Sequence, residues 1–449
     1  MDKLFAKLVG KDAVMRPFQR RVVEAILEGK NVIMRAPTGS GKTWAPIVPF
    51  LYSIEQGTPM ADRLFFAVPL RSLASSQLGS LKRVITYREN PPLLPNEEIS
   101  VGIQTGTTPH DPHFLNRVVI TTIDQLLSSY LFSAYSVGRS SANINAGSLI
   151  GSLIVADEVH LYDKDKALLT LLEAAGSQRL KGLAQFVLMT ATLPTQAVAS
   201  LAEHLDAEII QVEEDELFSL PSHKDKERYY HWEPSPLSGQ AVIKKHQDNS
   251  RSLVICNTVN RAQEVYLELK ESLEQSGEKT PLYLLHSRFY EYDRKRIEDE
   301  LEKYFNASAE RTNVIAVTTQ VVEAGLDWSA EQLHTELAPA NSLVQRAGRC
   351  ARFPSPRNRG NVYIYELKEK GNGRDLGPYH KQAEEIKLTR YNLEKVNGNN
   401  LSFKDEETLI DNVHGEIDSQ FFGDLDRLVL ERSIRVEDEA FSEPYPDTT

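Results

Sequence analysis

The stretch "NVIMRAPTGSGKT", Asn31–Thr43, restricts what this chain can fold into more than any other. A short apolar run breaks into Ala36-Pro37-Thr38-Gly39-Ser40-Gly41-Lys42-Thr43, and a helix is expected to follow. Glycines at such a turn let successive backbone N–H groups point inward around phosphates, and the helix N-terminus adds a dipole that favours an anion. In this arrangement Lys42 reaches the β- and γ-phosphates and the Thr43 hydroxyl ligates Mg²⁺. Residues 37–43 are therefore the candidate ATP-binding loop, with ATP and Mg²⁺ as the expected cofactors. Ala36 stands where the general pattern has its first glycine, so the assignment rests on Gly-Lys-Thr lying between a strand and a helix.

A phosphate loop that serves hydrolysis needs carboxylates from a neighbouring strand tip. "SLIVADEVHLYD", Ser152–Asp163, supplies a pair. Adjacent acids after an apolar strand are common turn residues. Beside Lys42 they gain distinct roles: Asp157 as a hard oxygen ligand of nucleotide-bound Mg²⁺, and Glu158 placed to orient or deprotonate the attacking water.

Around these motifs the chain alternates short apolar strands with helical patterns: "NVIMRA", "RLFFAVP", "RVVITT", "SLIVADE" and "QFVLMTAT". That rhythm predicts parallel βαβ units. It pauses over a Pro-, Ser- and charge-rich stretch and restarts with "RSLVICNT", "LYLLHS", "NVIAVTTQ", "HTELAP" and "NVYIYE". The expected organisation is a nucleotide-binding α/β lobe over 1–212, a linker over 213–250, a second α/β lobe over 251–367, and a mainly helical C-terminal extension with an acidic tail over 368–449. Ser133–Ser148, rich in Ser, Asn and Gly, is expected to be a long surface loop. Two cysteines in 449 residues, Cys256 and Cys350, are too few for a disulfide framework or a zinc site. A net charge of −12 argues against a surface coated for DNA, though a basic groove can sit on an acidic body. No apolar run reaches the roughly 20 residues a membrane span needs, and no signal-peptide pattern is recognised, so a cytoplasmic protein is expected.

With these residues in place the sequence resembles the superfamily-two helicases, with a DEVH box at Asp157, Glu158, Val159 and His160. "RPFQ" is similar to that family's adenine-reading segment, with Gln19 as the reader. "VPLRSLASSQ" and "ITTIDQLL" resemble its strand-gripping motifs, through Pro69, Arg71, Thr121 and Thr122. "TATLP" places Thr190 and Thr192 where the family couples hydrolysis to strand movement. In the second lobe "VICNTVNRAQ", "HSRF", "TTQVVEAGLD" and "QRAGRCAR" resemble its later motifs. The combination "DEVHLYD", "TATLP", "LLHSRFYEYDRKR", "TTQVVEAGLD" and "QRAGRCAR" resembles, more narrowly, the helicase of type I CRISPR interference, the Cas-three family.

The resemblance implies two tandem RecA-like lobes with parallel sheets, with ATP bound between them. Arg349 and Arg352 would serve as arginine fingers, Gln345 would complete their motif, and Asp327 would touch the ribose or the attacking water. His160 would link the nucleotide site to "TAT" or to Gln345. Pro69, Arg71, Thr121, Thr122, His286, Arg288, Thr319 and Gln320 would grip nucleic-acid phosphates. The implied activity is a 3′-to-5′ single-stranded DNA translocase recruited to a Cascade R-loop. Many family members carry a fused HD nuclease. Here the motifs fill 16–352, and the "HD" at His110-Asp111 reads as a loop, so the expected form is a stand-alone helicase with its nuclease on another chain. A general DNA-repair or RNA helicase of the same fold, and a scaffold that merely binds nucleotide, are the competing readings.

Overall fold

The computed structural model describes the chain apart from residues 11–12, 38, 71–73, 75–78, 80–98, 107, 139–140, 177–179, 214, 217–225, 247–249, 308, 310–311, 324–325, 354–358, 372 and 442–449, with the backbone alone for 436–441. Two compact units result, Met1–Glu216 with Ser419–Thr449, and Leu217–Asp418.

The first unit is built on seven strands: β1 (Asn31–Arg35), β2 (Arg63–Val68), β3 (Val101–Gln104), β4 (Val118–Thr122), β5 (Ser152–Ala156), β6 (Gln185–Thr190) and β7 (Ala207–Gln211). Their order is β3-β4-β2-β5-β6-β1-β7, and every neighbouring pair is parallel. Helices cover both faces of such a sheet, so its inner strands are apolar along their length rather than alternating. All five residues of β4 and all five of β5 are buried. Phe65, Val119, Ile154 and Phe186 of the sheet share one core cluster with Leu126, Leu171 and Leu201 of the helices Ile123–Tyr130, Leu169–Gly176 and Thr195–Leu205. β6 pairs with β5 on one side and β1 on the other, with Ala156 beside Leu188 and Arg35 beside Thr190. The carboxyl ends of β1, β5 and β6 therefore lie together, the place where open parallel sheets bind ligands.

The second unit repeats the plan with β8 (Glu227–Pro236), β9 (Arg251–Ile255), β10 (Leu282–Leu285), β11 (Val314–Thr318), β12 (Gln332–Glu336) and β13 (Arg359–Glu366), followed by a small hairpin, β14 (Glu369–Lys370) with β15 (Gly373–Arg374), and by β16 (Asn399–Asn400). The sheet order is β10-β11-β9-β12-β13-β8-β16; only β16 runs antiparallel. These two seven-stranded sheets with covering helices are the tandem RecA-like lobes the sequence implies.

Three segments differ from expectation. Within the stretch read as a linker, Glu227–Pro236 forms β8, paired with β13 from Glu227 to Pro236, and Gly239–Lys245 is a helix. β8 has only the two-residue β16 on its outer side, so it buries Arg228 and Tyr230 while leaving Glu227, Tyr229 and His231 more open; that alternation kept it polar. Within the expected loop Ser133–Ser148, Ala142–Gly147 is a short helix whose buried Asn145 donates its amide to the Pro112 carbonyl at 2.8 Å. The C-terminal extension also divides. The helix Ala383–Val396 belongs to the second unit, whereas Leu425–Phe441 belongs to the first. There Phe422, Leu425 and Val429 enter the core cluster, Arg432 Nε donates to Thr170 Oγ1 at 2.9 Å, and His204 Nδ1 meets Asp426 Oδ1 at 2.6 Å. Among the described residues no helix is long and apolar enough to cross a membrane.

Candidate active site

The loop after β1 is held open by its backbone. Gly39 and Gly41 have φ of +80° and +79°, in the left-handed region where a side chain is strained. A Cβ at Gly41 would also lie 3.0 Å from Gln19 Nε2 and 3.2 Å from Arg16 Nη1. Those two side chains brace the loop from the start of the helix Pro17–Leu27. Gln19 Nε2 donates to the Gly41 carbonyl at 2.9 Å, Gln19 Oε1 accepts from the Arg16 backbone N–H at 2.9 Å, and the Arg16 guanidinium donates to the Ser40 carbonyl. Pro37, Ser40 and Thr43 occupy the expected loop, Thr43 directly preceding the helix Trp44–Glu55; Thr38 lies outside the described residues.

Lys42 is 7% exposed. Its ammonium donates to Glu158 Oε1 and lies 3.7 Å from Asp157 Oδ1. Asp157 directly follows β5, its N–H bonded to the Ala67 carbonyl of β2 at 2.8 Å. Glu158 follows with φ 51°, a left-handed conformation that non-glycine residues adopt at a cost of order 1–3 kcal/mol. That kink turns its N–H onto Asp157 Oδ1 at 2.9 Å. Burial pushes the Asp157 carboxyl up, toward about 7, against the pull of Lys42. A buried carboxylate with too little positive charge beside it suits a cation. With the Glu158 carboxylate and the Thr43 hydroxyl, the donor set consists of hard oxygens of the kind Mg²⁺ takes.

His160 lies one turn further on. Burial pulls its pKa down to about 4, so the ring is neutral. Its Nδ1 is 3.1 Å from Thr190 Oγ1 and 3.6 Å from Glu158 Oε2, while Thr190 Oγ1 accepts the Thr192 N–H at 3.3 Å. A polar path thus runs from Glu158 through His160 to the "TAT" segment after β6. The residues read as phosphate loop, carboxylate pair and coupling segment come together in one unit.

The remaining candidates are placed as follows. Pro69 lies just past β2, partly exposed, and Arg71 is outside the described residues. Thr121 is wholly buried with its hydroxyl donating to the Gln104 carbonyl at 2.8 Å, and Thr122 is buried at the start of its helix. These threonines serve the strand end, and their side chains are turned from solvent. Asp111 is buried and caps its own loop, accepting from the Leu115 and Asn116 N–H groups at 2.7 and 3.0 Å, which fits the loop reading of His110-Asp111.

In the second unit the Arg349 guanidinium is buried against the turn after β11, donating to the carbonyls of Val322 (2.9 Å), Glu323 (2.7 Å) and Leu326. Arg352 donates to Asp327 Oδ1 at 2.6 Å, which joins two of the expected site residues in one ion pair. Gln345 is buried in the helix Ala340–Ala347. His286 is buried, and its Nδ1 accepts the Arg288 N–H at 3.3 Å. Thr319 is buried, and Gln320 Nε2 donates to the Asn257 carbonyl at 2.9 Å. Two residues escaped the sequence reading. Arg16, quoted within "RPFQ", holds the phosphate loop. Arg346, the first arginine of "QRAGRCAR", is fully buried and reaches Glu323 (2.7 Å), Thr335 (2.8 Å), the Tyr379 hydroxyl (2.9 Å) and Asn257 (3.0 Å).

Residues 16–201 match the DEAD/DEAH box helicase family, and residues 248–355 match the C-terminal region of the CRISPR-associated nuclease/helicase Cas3 family. A CRISPR-associated nuclease/helicase Cas3 of Methanocaldococcus jannaschii is 26% identical over 445 residues, which cover 94% of this chain and 57% of that protein. The CRISPR-associated helicase Cas3 of Thermoproteus tenax is 27% identical over 413 residues, 89% of this chain and 66% of its own length. The chain thus spans between half and two thirds of these relatives. The crystal structure of T. fusca Cas3 with ATP superposes with a TM-score of 0.72 at 21% identity, over 99% of this chain and 56% of the other.

Proposed function

Since this chain belongs to the DEAD/DEAH-box helicases of the Cas3 group, we propose that it is an ATP-driven single-stranded DNA translocase moving 3′ to 5′ in type I CRISPR interference. The observation that carries the reading is the buried Lys42 ammonium set against Asp157 and Glu158 behind a glycine loop braced by Gln19 and Arg16. A lysine that already pairs with two carboxylates is poised to trade them for the β/γ-phosphates of ATP. Asp157 and Thr43 would hold a Mg²⁺ ion, which would supply charge neutralisation on the phosphates. Glu158 then takes a proton from the attacking water, whose oxygen forms the new bond to the γ-phosphorus as the bond to ADP breaks. His160, neutral and bonded to Thr190, reports the state of Glu158 to the "TAT" segment, the link by which hydrolysis drives strand movement.

In this reading the chain works in the cytoplasm, engages a Cascade-type complex at its R-loop, and feeds DNA to an HD nuclease on another chain. The relatives' names support the CRISPR setting. Strand displacement on paired substrates tests it. Duplexes with a 3′ overhang should be unwound with ATP and Mg²⁺, and those with only a 5′ overhang should not. Labelled DNA should stay uncut until a separate HD-containing subunit is added. Unwinding from 5′ overhangs or of RNA duplexes alone would reassign the chain to a different helicase class, and metal-dependent cutting by the purified chain would remove the stand-alone form.

A further inference from the structure

Two tyrosines of the second unit are left almost wholly in water. Tyr290 is 84% exposed and Tyr292 80%. By contrast, Tyr230, Tyr365 and Tyr379 are buried with their hydroxyls paired. Tyr391 is also exposed, but the Lys395 ammonium covers its ring at 3.8 Å. Among the described residues neither the Tyr290 nor the Tyr292 ring takes part in an aromatic or cation–π pair. An aromatic side chain offers the largest apolar area a residue can bury, so two bare rings within three residues mark a contact surface.

The backbone beneath them is fixed. β10 ends at the buried Leu285, the His286 ring packs on Phe289 at 4.5 Å, and the Arg288 N–H is bonded to His286. Tyr290 follows in extended backbone, φ −59° and ψ 148°, and Tyr292 lies in the first turn of the helix Glu291–Phe305, which is anchored by buried Leu301, Tyr304 and Phe305. The two rings are thus presented separately on a rigid support. The surrounding charge is mixed. Arg288 is exposed and reaches Asn260 at 3.4 Å. Asp293 meets Arg296 at 3.6 Å, Lys295 meets Asp299 at 2.8 Å, and Glu291 adds a further acid. A ligand held chiefly by its charge would gain little here, whereas one that offers flat faces gains two.

Unstacked bases of a single strand have that chemistry: stacking on aromatic side chains tolerates any sequence, because every base has a π-face. We propose that Tyr290 and Tyr292 form a base-stacking platform for single-stranded DNA, next to the His286–Arg288 turn. The inference rests on the nucleic-acid translocase reading above and adds a contact to bases where that reading invoked only phosphates.

The test compares oligodeoxynucleotides of equal length with and without bases, bound to the full chain at several salt concentrations. The wild type should bind the base-bearing strand more tightly than the abasic one. Tyr290→Ala and Tyr292→Ala should each weaken base-bearing DNA by roughly 5- to 150-fold. Together they should erase the preference over abasic DNA, while the slope of log K against log salt stays unchanged because no phosphate contact is lost. The Phe substitutions should restore binding. Unchanged affinity in the alanine variants, or equal loss on abasic DNA with a shallower slope, would overturn the platform while leaving the translocase reading intact. A wild type that binds neither oligonucleotide would remove that reading, and the platform with it. Because both rings are exposed, melting temperatures should match the wild type.

Discussion

Lys42 is where a single residue carries the most chemistry. Lys42→Ala removes the cation that pairs with both acids and would meet the phosphates, so ATP turnover should fall by about 10²- to 10³-fold or more with the fold retained; a near-normal kcat would contradict the site. The acids should separate by role. Glu158→Gln should keep Mg·ATP binding and lose hydrolysis, whereas Asp157→Asn should also shift the Mg²⁺ dependence, both read by nucleotide titration beside turnover. His160 gives a pH signature. Its folded pKa of about 4 lies below the 6.5 of an unfolded chain, so between those values the unfolded state binds the extra proton. Stability should therefore fall as pH drops through that window, by on the order of 3 kcal/mol from this one group at its acid end. His160→Asn, which can keep the bond to Thr190 without titrating, should flatten the slope; an unchanged slope would show that the ring is protonated in the folded protein. The residues legible in the sequence were those whose spacing is local, the loop 37–43 and the pair Asp157-Glu158. Arg16 was not, because its role is a bond to Ser40 across 24 positions. Nor was Arg346, since an arginine in a helix gives no sign that Glu323, Asn257, Thr335 and Tyr379 converge on it.

Among the elements, the inner parallel strands announced themselves as apolar runs because helices bury both their faces. Three strands at or near an edge, β3, β7 and β8, did not. β8 alternates and carries charge, β7 exposes Glu208 and Ile209, and β3 is only four residues with a central glycine. The helix Leu425–Phe441 was legible as a helix but not as part of the first unit, since its partners Thr170 and His204 lie more than two hundred residues away. Its packing makes a prediction. Leu425 is 3% exposed in the first unit's core, so Leu425→Ala should destabilise the protein by about 2–5 kcal/mol in denaturant unfolding. A loss below 0.5 kcal/mol would mean that the C-terminal helix does not dock there in solution.

For the whole molecule, a net charge of −12 does not prevent DNA binding, but it requires that contact be confined to particular surfaces. The fold was readable because the βαβ rhythm occurs twice with a recognisable pause between the two runs. The expected phosphate-gripping residues were less so, since Thr121 and Thr319 have their side chains buried and offer a strand only their backbone groups. The claim that ATP hydrolysis serves movement on single-stranded DNA is tested most directly by the steady-state ATPase rate of the full chain with and without single-stranded DNA, alongside Glu158→Gln. Turnover should be low alone, should rise steeply with DNA at low salt, and should vanish in Glu158→Gln, whose ATP binding persists. A rate indifferent to DNA, or one that survives in Glu158→Gln, would contradict it.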